Sequence, residues 1–109
     1  MNESEFTERA EATLKAIEDA IDATGADIEI ARTGNVLTLE IGADARVVVN
    51  TQAPMRQIWV AARSGAHHFE WNSGVWRDTR DGSELFAALS RITSALGAPI
   101  VLRERPQKT

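Results

Sequence analysis

The sequence contains no cysteine and no tyrosine, and only three prolines and two methionines in 109 residues. Each shortage closes off a class of chemistry. Without cysteine there is no disulfide framework, which fits a reducing compartment. There is also no thiolate nucleophile, and no means of holding an iron–sulfur cluster in the usual way, which takes several cysteine thiolates. No run approaches the roughly 18 apolar residues of a membrane span, so a membrane is not an expected partner. Met1-Asn2-Glu3-Ser4-Glu5 carries acids where a secretory signal carries bases, and the cytoplasm is the expected location. A Gly-rich phosphate loop, an HExxH motif and EF-hand spacing are all missing, and no serine stands in a recognisable nucleophile setting. An ordinary enzyme is not expected.

What is present suffices for one domain over 1–109, because 43% hydrophobic residues can bury a core without a covalent staple. The net charge of −4 conceals a strong asymmetry. Residues 1–29 hold nine acids against Arg9 and Lys15, net −7, and residues 30–109 hold seven acids against ten bases, net +3. Such a layout offers an acidic surface to cations or to a basic partner, and disfavours nucleic acid at that end, since phosphates are repelled.

Hydrophobic period divides the chain into elements. Phe6, Ala10, Leu14, Ile17 and Ile21 recur at spacings of three or four, which predicts an amphipathic helix over 3–23. Asn2 and Glu5 have capping-box spacing, and Thr24-Gly25 supplies the stop. Short alternating or β-branched runs follow at 28–32, 36–41, 46–50, 57–63, 67–71 and 75–78, separated by glycine-bearing turns and by a connection with Pro54. That spacing favours an antiparallel meander over 28–78. Asp81 and Glu84, again at capping-box spacing, open a second helix over 83–96 with Leu85, Phe86, Leu89, Ile92 and Leu96 on its apolar face. Ile100-Val101-Leu102 is expected to pack on a helix or add an edge strand, within a C-terminal extension over 97–109 that frays from Arg103. Two amphipathic helices are the elements available to cover one face of the sheet. The expected fold is therefore α+β, a two-layer sandwich of about six antiparallel strands with both helices on one face.

At about 100° per residue, Glu8, Glu11, Glu18, Asp19 and Asp22 fall within about 100° of one another, on the flank away from Phe6, Leu14 and Ile17. Asp27 and Glu29 extend this surface at the helix–sheet edge. Carboxylates are hard oxygen ligands, suited to oxygen-preferring cations and ferric iron. Crowding them costs Coulomb repulsion that a bound cation relieves. Most acidic helix faces are simply solvated, however, and Lys15 lies within this one. Composition alone leaves both readings open.

His67 and His68 are strand neighbours and point to opposite faces, so they cannot share one site. His67 goes with Phe69 and Trp71, and His68 with Glu70. On the fourth strand Ile58, Val60 and Ala62 form the core set. That leaves Gln57, Trp59, Ala61 and Arg63 on the open face, where an aromatic beside arginine is typical of a binding hot spot. Trp71 and Trp76 are expected to serve core or edge packing.

The order helix, strands, helix, with an acidic first helix, resembles that of bacterial frataxins. The segment Asn50-Thr51-Gln52-Ala53-Pro54-Met55-Arg56-Gln57-Ile58-Trp59-Val60-Ala61 is similar to the family's Asn-x-Gln-x-Pro-x-x-Gln-[Val/Ile]-Trp-[Leu/Val]-Ala signature. His68-Phe69-Glu70, Trp76, Arg80 and Gly82 match further positions, and the N-terminal Met1 to Phe6 also resembles bacterial members. The similarity runs from residue 1 to about residue 96 at one colinear spacing. It implies weak, surface-type binding of iron (Fe²⁺ or Fe³⁺) along Glu8, Glu11, Glu18, Asp19, Asp22, Asp27 and Glu29. It also implies docking, through this ridge and the Trp59, Gln57, Arg63 and His68 face, on the cysteine desulfurase and the iron–sulfur scaffold complex.

The function expected from this resemblance is iron donation or sensing with regulation of the desulfurase, an effect that tends to be inhibitory in bacterial members. Ferroxidase and iron storage, or an acidic adaptor with incidental metal binding, are the alternatives. A monomer is the default, with iron-driven oligomers possible. Two departures stand out: Ala23-Thr24-Gly25-Ala26 interrupts the acidic run, and Thr79 stands where an aspartate precedes the family's arginine. Both remove carboxylates, and a reduced iron capacity is expected.

Overall fold

A computed structural model describes residues 1–104 of the chain. The first helix, α1, spans Glu3–Thr24, and both its ends follow from local chemistry. The Asn2 side chain accepts from the Glu5 N–H at 2.8 Å while the Glu5 carboxylate accepts from the Asn2 N–H at 3.1 Å. Two of the donors that a helix start leaves without partners are thereby satisfied. Gly25 ends the helix at φ 70°, its N–H donating to the Asp22 carbonyl, in the left-handed conformation that costs other residues a Cβ clash.

Six strands follow: β1 (Ile28–Thr33), β2 (Val36–Ile41), β3 (Ala45–Gln52), β4 (Gln57–Ala62), β5 (Gly65–Asn72) and β6 (Val75–Asp78). They form one sheet in sequence order, every neighbouring pair antiparallel. Helix α2 spans Leu85–Ala95. Phe6, Leu14, Ile17 and Ile21 of α1 and Leu85 and Leu89 of α2 close over Leu37, Leu39, Val47, Val49, Ile58, Val60 and Phe69 of the sheet, all fully buried. Burial stabilises each such side chain by roughly 1.5–3 kcal/mol, so one shared core holds both helices to one face. No helix among the described residues is long and apolar enough to cross a membrane.

Two of the boundaries that differ from the sequence expectation bear on candidate residues and caps. β4 ends at Ala62, which pairs with Gly65, so Arg63 and Ser64 form the turn and Arg63 leaves the strand face. α2 starts at Leu85 with Glu84 as its cap, not at the turn opened by Asp81. The cause is β6: the Asp78 N–H donates to the Ser83 carbonyl and Arg77 bridges Glu84, which keeps the chain extended as far as Glu84. Asp81 instead closes the preceding turn, accepting from the Ser83 N–H at 2.9 Å. That hydrogen bond to its charged form holds the Asp81 carboxyl below the usual aspartate range. Residues 100–102 take the first of the two courses expected of them, packing on a helix and adding no strand. They lie against α2, with Leu102 buried and its N–H donating to the Ser90 hydroxyl at 2.7 Å. Of the C-terminal extension, residues 105–109 lie outside the described residues.

Candidate functional site

Two surfaces carry the candidate residues. The first is the flank of α1 beside β1. Glu11 and Glu18 are seven residues apart, two helical turns, and so share one side of the helix. Inward positions of β1 are Ile28, Ile30 and Arg32, the two isoleucines packing on the core. Arg32 reaches the helix from the strand end, where its Nη2 pairs with Glu11 and its Nη1 with Glu18 at 3.2 Å. The Glu11 hydrogen bond, with Glu18 adding to it, raises the Arg32 pKa above its ordinary value against the opposing pull of desolvation.

Asp19 pairs with Lys15 at 3.2 Å, both side chains well exposed. Glu8, Asp22 and Asp27 are exposed and make no ion pair among the described residues. Glu29 does not extend this flank. It alternates with Ile28 and Ile30 and so stands on the other face of the sheet, across from Glu40. No three Asp, Glu or His side chains among the described residues converge into a metal-binding group. The flank thus offers one or two carboxylates at a time, among the described residues, to any cation.

The second surface is the uncovered face of the sheet. Trp59 of β4 lies opposite His68 of β5, and the rings stack at 4.5 Å between centroids and 16° between planes. The Trp59 indole N–H donates to the Gln57 side-chain oxygen at 2.8 Å, and the Gln57 amide nitrogen donates to Glu70 at 2.8 Å. This chain fixes the Gln57 amide orientation, since only its oxygen can accept and only its nitrogen can donate. Trp59, Gln57 and His68 are thus brought together as expected, with Glu70 as a fourth member. Arg63 is not among them. From its turn it donates to the Asp44 carbonyl at 3.3 Å.

His67 faces the core side, its Nδ1 3.2 Å from the buried Asp78 carboxylate. Trp76 is buried, with its indole N–H donating to the Thr13 hydroxyl at 2.9 Å and its ring edge-on to Phe6 and Trp71. Trp71 in turn lies under the Arg9 guanidinium at 4.1 Å. Both tryptophans therefore pack, as their positions led one to expect.

The frataxin-like domain family matches residues 1–98. The chain belongs to that family. Among curated relatives, the iron–sulfur cluster assembly protein CyaY of Paraburkholderia xenovorans is 54% identical over 101 residues, covering 92% of this chain and 96% of the relative. The corresponding protein of Photobacterium profundum is 46% identical over 91 residues, covering 84% and 87%. The frataxin of Psychromonas ingrahamii superposes with a TM-score of 0.85 at 35% identity, covering 89% of this chain and 92% of that one. A trimeric frataxin from the yeast Saccharomyces cerevisiae, complexed with ferrous iron, superposes at 0.69 and 28% identity, covering 79% and 82%. The frataxin-like arrangement of six antiparallel strands under two helices is thus shared by sequence and structure alike.

Proposed function

We propose that the protein serves iron–sulfur cluster assembly as a weak iron binder and regulator, docking on the cysteine desulfurase and its scaffold complex in the cytoplasm. The observation that carries this reading is the pairing of an open carboxylate flank on α1 with a pre-assembled Trp59–Gln57–Glu70–His68 cluster on the sheet. Ligands on an open surface give modest affinity, which suits a protein that must release its cargo. An aromatic held in one orientation by a hydrogen bond and a stack loses little entropy on contact, as a hot spot requires. The same acids attract a basic partner, so iron and partner are linked through one set of charges. We read the protein as a carrier and regulator, not a ferroxidase.

A second reading, an acidic adaptor for protein partners alone, draws support from the neutralisation of Glu11 and Glu18 by Arg32 and of Asp19 by Lys15. The experiment that separates them is capture of the cysteine desulfurase by wild type and by Glu8/Asp19/Asp22→Lys, with and without Fe²⁺. This triple leaves the Arg32 pair intact. Capture lost on charge reversal and altered by iron supports the first reading. Loss without any iron effect supports the second, and capture indifferent to both removes the flank from function.

A further inference from the structure

We infer that Arg32 is a built-in competitor for cations at Glu11 and Glu18, confining iron on the acidic flank to the carboxylates that it does not hold. The inference rests on the reading that the flank binds iron. Glu11 and Glu18 stand 21 and 14 residues before Arg32 in sequence, yet one guanidinium meets both of them, a different nitrogen to each. The planar fork of an arginine matches two carboxylates at once and is always charged. Its side chain is only 24% exposed, and its anchorage at the end of β1 presents it at a high effective concentration. A free cation has to displace this internal one before it reaches Glu11 or Glu18.

The other pair on the flank is different in kind. Lys15 and Asp19 have side-chain exposures of 72% and 47%. A hydrated ammonium on a flexible stem holds its partner weakly in water, so Asp19 stays open to exchange. The flank is thereby divided. Glu11 and Glu18 serve to fasten α1 to β1, and a cation settles on Glu8, Asp19, Asp22 or Asp27.

The test is a cycle of variants titrated with Mn²⁺ as the probe, read by affinity and by the backbone amides that the paramagnetic ion broadens. Wild type is expected to show broadening centred on Asp19 and Asp22, and Glu11/Glu18→Gln is expected to lower the affinity less in the wild-type background than in Arg32→Gln. Arg32→Gln should bind about fivefold tighter or more, as expected for removing one positive charge a few ångström away, with the broadening shifting its centre toward the stretch between residues 11 and 18. Adding Glu11/Glu18→Gln to that variant should return the affinity to the wild-type value. Lys15→Gln, which removes the same charge elsewhere on the flank, should leave the broadening centred on Asp19 and Asp22. Arg32→Lys, which keeps the charge and loses the fork, should fall between wild type and Arg32→Gln. Thermal unfolding of each variant confirms that it is folded.

Equal affinity of wild type and Arg32→Gln would overturn the inference, and so would an equal loss on Glu11/Glu18→Gln in the two backgrounds. Broadening centred between residues 11 and 18 in Arg32→Gln, with none anywhere on the wild-type flank, would uphold the competitor role while removing iron binding from the native function.

Discussion

Thr13 shows what one hydroxyl contributes to this fold. Its oxygen accepts from the buried Trp76 indole and its proton goes back to the Arg9 carbonyl at 2.8 Å. Thr13→Val keeps the shape and strands the indole N–H in the core, which should cost about 1–3 kcal/mol. Urea unfolding followed by tryptophan fluorescence measures the loss, and a change within error would show that Trp76 finds another partner. Asp81 makes a pH-dependent contribution. Its folded pKa is depressed, so its stabilisation is present above the ordinary carboxylate range and is lost as pH falls through the folded value. The melting-temperature gap between wild type and Asp81→Ala should accordingly be full at neutral pH and close on acidification.

Among the elements, α1 was legible almost completely, because a 3.6-residue period, a capping box and a terminal glycine all agree. The start of α2 was not. Asp81 and Glu84 have the right spacing for a box, but the bridge from Arg77 to Glu84 is a tertiary contact, and it decides which of them caps. Glu84 accepts from the Phe86 and Ala87 N–H groups at 2.8 and 3.0 Å. Glu84→Ala should therefore destabilise by about 0.5–2 kcal/mol and Asp81→Ala by less, with the reverse order contradicting the assignment. Arg63 was misplaced for a related reason: a strand's end depends on where its partner strand begins, here at Gly65. Glu29 was within reach of the sequence, since alternation with Ile28 and Ile30 already turns it away from the helix. The same alternation turns Arg32 inward, but its two partners depend on where α1 lands against β1.

Across the whole molecule, the charge asymmetry read from composition becomes a flank of α1, while the Trp59 cluster occupies the sheet face that the helices leave uncovered. Trp59 lies three strands in from β1, about 14 Å at ordinary strand spacing. A partner that touches both surfaces must wrap round the β1 edge, a span within an interface of standard size. The signature around Trp59 made this half of the candidate site legible as a cluster on the open sheet face. The carboxylate half was legible only as a set, because a helical projection shows which acids share a side but not which are already paired. Under the function proposed above, flank and cluster form two parts of one docking footprint.

The most direct measurement is the equilibrium affinity for the cysteine desulfurase in physiological salt, for wild type, Trp59→Ala, Asp19/Asp22→Lys and the three changes combined. Trp59→Ala and Asp19/Asp22→Lys should each weaken binding by about tenfold or more, as expected for a hot-spot truncation and for reversed charges at an interface. Raised salt should weaken the wild type and Trp59→Ala and do little to the charge-reversed proteins. Unchanged affinity in Trp59→Ala, or in Asp19/Asp22→Lys, would contradict the shared footprint.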